Sequence, residues 1–214
     1  MPDPSGPRPS DPLAAQSVQE FLSSLGSGAP TPGGGAAAAL CGAMAAALVA
    51  MVGRVTAARE PSVERQASAI VAQADDLGGR LTKLVAEDME AYERVIEARR
   101  SCGEPGAVVR ALARATEVPI RLVTASRDVL ALCETLAPLA RPSALSDLAV
   151  AASLAWSALE SGAFTARANL AEAAAPEAAR MSETELSCLL ASGQDARGRL
   201  SAALAARAGR GRPS

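Results

Sequence analysis

The sequence predicts an all-α fold, a compact bundle of about six helices. Three observations carry this. Aromatic residues make up 2% of the chain, whereas strands draw on aromatic and β-branched side chains. Ala, Leu, Val, Arg and Glu dominate the middle of the chain, and alanine favours both helix and close helix–helix approach. No internal repeat or linker divides the chain, so about 190 residues remain to bury one core.

The elements follow in order. Residues 1–16 are rich in Pro, Ser and Asp and are expected to form a disordered tail, as are residues 209–214, because neither segment can bury enough apolar surface to offset the entropy of ordering. The helical domain is placed at 17–208. Helix one is expected over about 17–25, with Ser17 and Glu20 in capping-box spacing. A loop from Gly26 to Gly35 precedes helix two, about 36–58, which stops before Pro61. Helix three is expected over about 62–101, softened at Gly78-Gly79. Helix four, about 105–137, contains Pro119, so a kink is expected there. Helix five is placed at about 143–172. Helix six is placed at about 177–208, with a break near Gly193.

Composition excludes several functions. Net charge is −2, Lys83 is the only lysine, and no basic stripe carries interleaved aromatics; nucleic-acid binding is not expected. The chain has no histidine, which removes imidazole catalysis and His-ligated metals. Cys41, Cys102, Cys133 and Cys188 form no CxxC pair and read as reduced thiols of a cytoplasmic protein. Ala36 to Val52 carries no charge, but it is short for a span and mostly alanine; it reads as a central buried helix and not as a membrane segment.

Three constellations could carry chemistry. The first is Pro30-Thr31-Pro32-Gly33-Gly34-Gly35. Three successive glycines are entropically costly, so something requires bare backbone there. Ahead of the most apolar helix, free amides without a Cβ make an anion or carbonyl site; a tight turn needing positive φ accounts for them equally well. The second is Asp88. On a wheel of about 100° per residue, Leu81, Leu84, Val85, Tyr92, Val95 and Ile96 fall within about 80° of it. The carboxylate therefore sits at the centre of an apolar face, where burial raises its pKa and suits it to acid–base work. The structural alternative is an Asp satisfied by backbone or by Tyr92. The third is Asp147, whose helix face includes Val150, Leu154, Ser161, Thr165 and Asn169 and could line a cleft. Taken alone, Asp147 also reads as a first-turn acid favoured by the helix dipole. Trp156 falls opposite Asp147 and reads as a core or interface anchor.

Together these segments resemble the formiminotransferase-cyclodeaminase C-terminal family. Ser17 to Leu22 resembles its opening helix, and Pro30 to Gly35 its PTPGGG signature. Met51-Val52 through Thr56 resembles the MVxxxT helix end, and Glu87-Asp88 with Ala91-Tyr92 the DAxAY/F motif. Val118-Pro119 is similar to the kinked helix, Ser146 to Ala151 to the SDxxVA motif, and Asn169-Leu170 to the end of the NVxIN segment. The resemblance spans about residues 17–172. It implies a dimeric helical bundle acting on tetrahydrofolate one-carbon adducts. The reaction is either closure of 5-formimidoyltetrahydrofolate to the methenyl form with loss of ammonia, or hydrolysis of the methenyl form, with no metal. It further implies Asp88 as general acid/base and Asp147 as the group that orients the pterin or stabilises the cationic bridge. Pro32, Gly33, Gly34, Gly35, Thr165 and Asn169 would bind substrate, with glycine amides holding a polar edge. Ala36 and Thr165 stand where the family usually has serine and asparagine. They motivate an alternative, a family member acting on a non-folate small molecule; a non-catalytic helical binding protein is a further one.

Overall fold

A computed structural model of the chain describes residues 16–101, 106–173 and 176–209, with side chains described outside 176–182 and 208–209. The expected tails lie outside these residues, Gln16 and Gly209 apart, as does Cys102. Six α-helices account for the fold: α1 (Val18–Leu25), α2 (Gly34–Arg59), α3 (Glu64–Arg100), α4 (Ala107–Leu136), α5 (Leu145–Ala173) and α6 (Pro176–Gly209). Short 3₁₀ turns at Pro61–Val63 and Pro142–Ala144 precede α3 and α5, each with proline at its start.

Helix α1 begins as its capping box dictates. The Ser17 amide donates to Glu20 Oε2 at 2.6 Å, and the Glu20 amide donates to Ser17 Oγ at 3.2 Å. Phe21 anchors α1 to the core at 3% exposure.

Helices α2, α3, α4 and α5 form a four-helix ring, each packed on its two neighbours, and α6 covers the α4–α5 side. Successive contacts show the directions. Gly35 faces Asp88, Gly42 faces Leu81 and Gly53 faces Val71, so α2 and α3 run antiparallel. Gly162 faces Leu122 and Val123, and Asn169 reaches Ala115, so α4 and α5 do the same. The N-terminal ends of α2 and α4 thus meet the C-terminal ends of α3 and α5 at one end of the bundle.

Helix α2 is long and apolar enough to cross a membrane by length and composition. In this fold it packs against α3, α4 and α5, and alanines such as Ala39, Ala45 and Ala46 let those helices approach closely.

Three local expectations are corrected. Helix α2 starts at Gly34, two residues earlier than periodicity suggests, because the neighbouring helix α3 supplies its cap. Helix α3 continues through Gly78-Gly79, since packing along 37 residues outweighs about 1 kcal/mol per glycine. Helix α6 continues through Gly193: a Cβ there would sit 2.7 Å from Leu159 Cδ1, so this glycine marks close α5–α6 packing and not a break.

Candidate active site

At the end of the bundle where α2 begins, a cavity of about 480 Å³ opens between α2, α3, α4 and α5. The 30–35 loop forms one wall, with Pro30, Thr31 and the three glycines. Asp88 and Tyr92 of α3 form another, and Phe164, Thr165, Ala168 and Asn169 of α5 face them.

The glycines are there for bare backbone and not for positive φ. Gly33 has φ −123° and ψ −162°, ordinary extended backbone. Left-handed φ occurs among the described glycines only at Gly28 and Gly106. Gly33 caps α2 without a side chain, so the first amides of a 26-residue helix lack an ordinary cap. Asp88 fills that role from α3: its carboxylate accepts from the Ala36 amide. A Cβ on Gly35 would lie 2.2 Å from Asp88 Oδ1. The third glycine is therefore the space that the carboxylate occupies. Around Gly33 and Gly34 nothing would meet a Cβ within 4 Å, and both line the cavity.

Asp88 sits half-buried, above Leu84 and Val85 in the core. Burial pushes its carboxyl up from 3.8 to about 6, and the Ala36 amide opposes that by stabilising the anion. The structural alternative is thus realised as well, through backbone and not through Tyr92. Both forms of Asp88 are accessible near neutral pH, and its oxygens border the cavity.

The loop is held by Thr31, which is 5% exposed and donates through Oγ1 to Glu93 Oε1 at 3.1 Å. Thr31-Pro32 is a cis peptide. Pro32 is buried and does not line the cavity, which corrects its assignment to substrate binding: a buried ring presents no surface to a ligand there.

Asn169 donates through Nδ2 to the Ala115 carbonyl at 3.2 Å. Pro119, four residues on, has no N–H to give that carbonyl. Asn169 therefore satisfies an acceptor that the proline leaves open, and ties α5 to α4 beside the cavity. Thr165 Oγ1 donates to Ser161 O at 3.1 Å, leaving its lone pairs available.

Asp147 is not brought to this cavity. It lies in the first turn of α5, 18 residues before Thr165, which is roughly 27 Å along the helix. The shared face expected from the sequence exists, but angular agreement does not shorten the axial distance. Within one chain Asp147 and Asp88 are too far apart to act on one substrate. Among the wall residues, Phe164, at 64% exposure, escaped the sequence reading; an exposed aromatic next to Thr165 was the available signal. Trp156 is half-buried against the core, with the Arg197 guanidinium 4.5 Å from its ring centroid.

The match to known proteins decides the family. The family model described as formiminotransferase-cyclodeaminase matches residues 17–187. The chain belongs to the formiminotransferase-cyclodeaminase family. A methenyltetrahydrofolate cyclohydrolase of Methylorubrum extorquens is 34% identical over 164 residues, 72% of this chain and 79% of that protein. The formimidoyltransferase-cyclodeaminase of Mus musculus is 32% identical over 184 residues, 79% of this chain but 32% of that longer protein. The crystal structure of formiminotetrahydrofolate cyclodeaminase from Thermotoga maritima superposes with a TM-score of 0.85 at 29% identity, covering 91% of this chain and 98% of that one. The family match includes the PTPGGG loop, Asp88, Thr165 and Asn169, the residues that this fold gathers at the cavity.

Proposed function

We propose that this protein is a tetrahydrofolate one-carbon enzyme, a formimidoyltetrahydrofolate cyclodeaminase or methenyltetrahydrofolate cyclohydrolase, with Asp88 as general acid/base. The observation that carries this is the placement of a half-buried carboxyl, raised to about 6, in the wall of a cavity large enough for a bicyclic ligand. The relatives' names supply the substrate class.

The proton movements of either reaction fit one such group. In cyclodeamination N10 attacks the formimino carbon. The formimino group reacts as its protonated amidinium; Asp88 takes the N10 proton and returns it to the resulting amine, which leaves as ammonia while the cationic methenyl bridge closes. In hydrolysis water attacks the bridge carbon; Asp88 takes one of its protons and delivers it to the ring nitrogen released when the bridge opens, and the second water proton leaves to solvent as the formyl C=O forms. Gly33 and Gly34 line the cavity, and their amides would hold a carbonyl edge of the pterin, with the N-terminal end of α2 favouring partial negative charge. Phe164 and Tyr92 offer flat apolar walls for the ring system. We further propose a cytoplasmic homodimer.

The test is assay of the purified protein with each substrate, following ammonia release for one and loss of methenyl absorbance for the other, with titration of 5-formyltetrahydrofolate as a stable stand-in. Micromolar binding and turnover of one substrate are expected. Neither binding nor turnover would overturn the folate reading.

A further inference from the structure

The loop before α2 is joined to α3 at two points. The Ala36 amide donates to the Asp88 carboxylate, and Thr31 Oγ1 donates to Glu93 Oε1 at 3.1 Å. The joints lie five residues apart on both segments, 31 to 36 and 88 to 93, in opposite directions. Five residues of helix rise about 7.5 Å, whereas five residues of extended chain reach roughly 17 Å. The segment between the joints therefore has slack. It contains Gly33 and Gly34, which line the cavity and have nothing within 4 Å of where a Cβ would sit. No side chain packs this backbone in place, and glycine is the residue with the most freedom to lose. Its shape depends on both ends being fixed.

Glu93 is committed to the second joint. On the same stretch of α3, Glu87 pairs with Arg121 and Glu90 with Arg94. Among the described residues Glu93 has no ion pair, and Thr31 is its one hydrogen-bond partner. Thr31 is 5% exposed, so removing the carboxylate leaves a buried donor open. An ionised acceptor also makes this a stronger bond than one between neutral groups.

We propose that Glu93 is a positioning residue: through Thr31 it fixes the outer end of the glycine span against α3, so that the backbone of Gly33 and Gly34 is set to grip the substrate. Glu93 is exposed and does not line the cavity; it acts through the loop and not on the reacting atoms. Asp88 belongs to α3, so the proton-transfer group stays in place when this joint is cut. What weakens is a grip that bound substrate and transition state share, and such a loss enters KM and leaves kcat.

The inference rests on the cavity being the reaction site proposed above, and a readout without substrate separates the two. Amide hydrogen exchange at Ala36 and Ala37, held by Asp88 and by the Gly33 carbonyl, reports how firmly the span is fixed. Glu93→Ala and Thr31→Val are each expected to speed it about tenfold, the worth of one hydrogen bond. Glu93→Gln, whose Oε1 still accepts from Thr31, should exchange like the wild type. On the substrate the wild type turns over, the first two variants should raise KM about tenfold with kcat within about threefold, and Glu93→Gln should rescue KM. The double variant should match either single one, because both remove the same bond. Unchanged exchange in Glu93→Ala overturns the proposal. So does faster exchange with KM unchanged and kcat lowered, the pattern of a fold that merely loses active enzyme. Faster exchange in a protein that neither binds nor turns over folate sinks the folate reading and keeps the joint.

Discussion

The side-chain amide of Asn169 donates to the Ala115 carbonyl at 3.2 Å, the carbonyl that Pro119 cannot serve. The α4 proline and the α5 asparagine are thus one device seen from two helices. Asn169→Ala leaves a partly buried acceptor open, which costs about 1–3 kcal/mol. In a Pro119→Ala background residue 119 regains an N–H for Ala115, and the cost of Asn169→Ala should shrink by at least half. Chemical denaturation of the four proteins of this double-mutant cycle measures the coupling; equal costs in both backgrounds would contradict it.

Gly35 and Gly34 are adjacent and should answer alanine in opposite ways. Gly35→Ala drives a Cβ into Asp88, so either the carboxylate or the start of α2 must shift. Loss of turnover of about 10²-fold is expected from a displacement of this size, with a lowered melting temperature. Gly34→Ala meets nothing within 4 Å and gains up to about 1 kcal/mol of helix propensity. It should melt at or above the wild-type temperature, and raise KM because the methyl group enters the cavity. Melting curves and steady-state kinetics on the two variants check this.

The raised pKa of Asp88 makes a prediction for stability. Below pH 3.8 the carboxyl is protonated in both the folded and unfolded chain and contributes no pH dependence. Between 3.8 and about 6 the unfolded chain releases its proton while the folded one keeps it, so stability falls as pH rises. Above the folded value the cost is constant at roughly 3 kcal/mol. Asp88→Asn lacks this component and still accepts the Ala36 amide through its carbonyl oxygen. It should therefore be more stable than wild type at pH 7.5, with the advantage vanishing near pH 4. Urea unfolding at the two pH values measures it, and a variant less stable at both would contradict the assignment of the burial cost.

Much of this site is legible in the sequence, and what is not has a physical reason. Asp88 stands out because a carboxylate inside a 3.6-residue apolar period violates the usual pattern. The capping box at Ser17 and Glu20 is local and so can be read directly. The role of Gly35 is not local: it depends on a side chain 53 residues away across a helix pair. Asp147 shows the limit of a helical wheel, which gives angle and omits rise; on a 29-residue helix two residues of one stripe can lie at opposite ends of the bundle. Gly193 reads as a breaker until Leu159 is placed against it.

The most direct test of the central claim is kcat/KM against pH for wild type and Asp88→Asn, on whichever folate substrate the wild type turns over. The wild type should rise with pH through an inflection near 6 and level off, as the base form of Asp88 fills. Asp88→Asn should fold, lose about 10²–10⁴-fold in rate and lose the inflection. An Asp88→Asn enzyme within about threefold of wild type, with the inflection intact, would show that another group moves the proton.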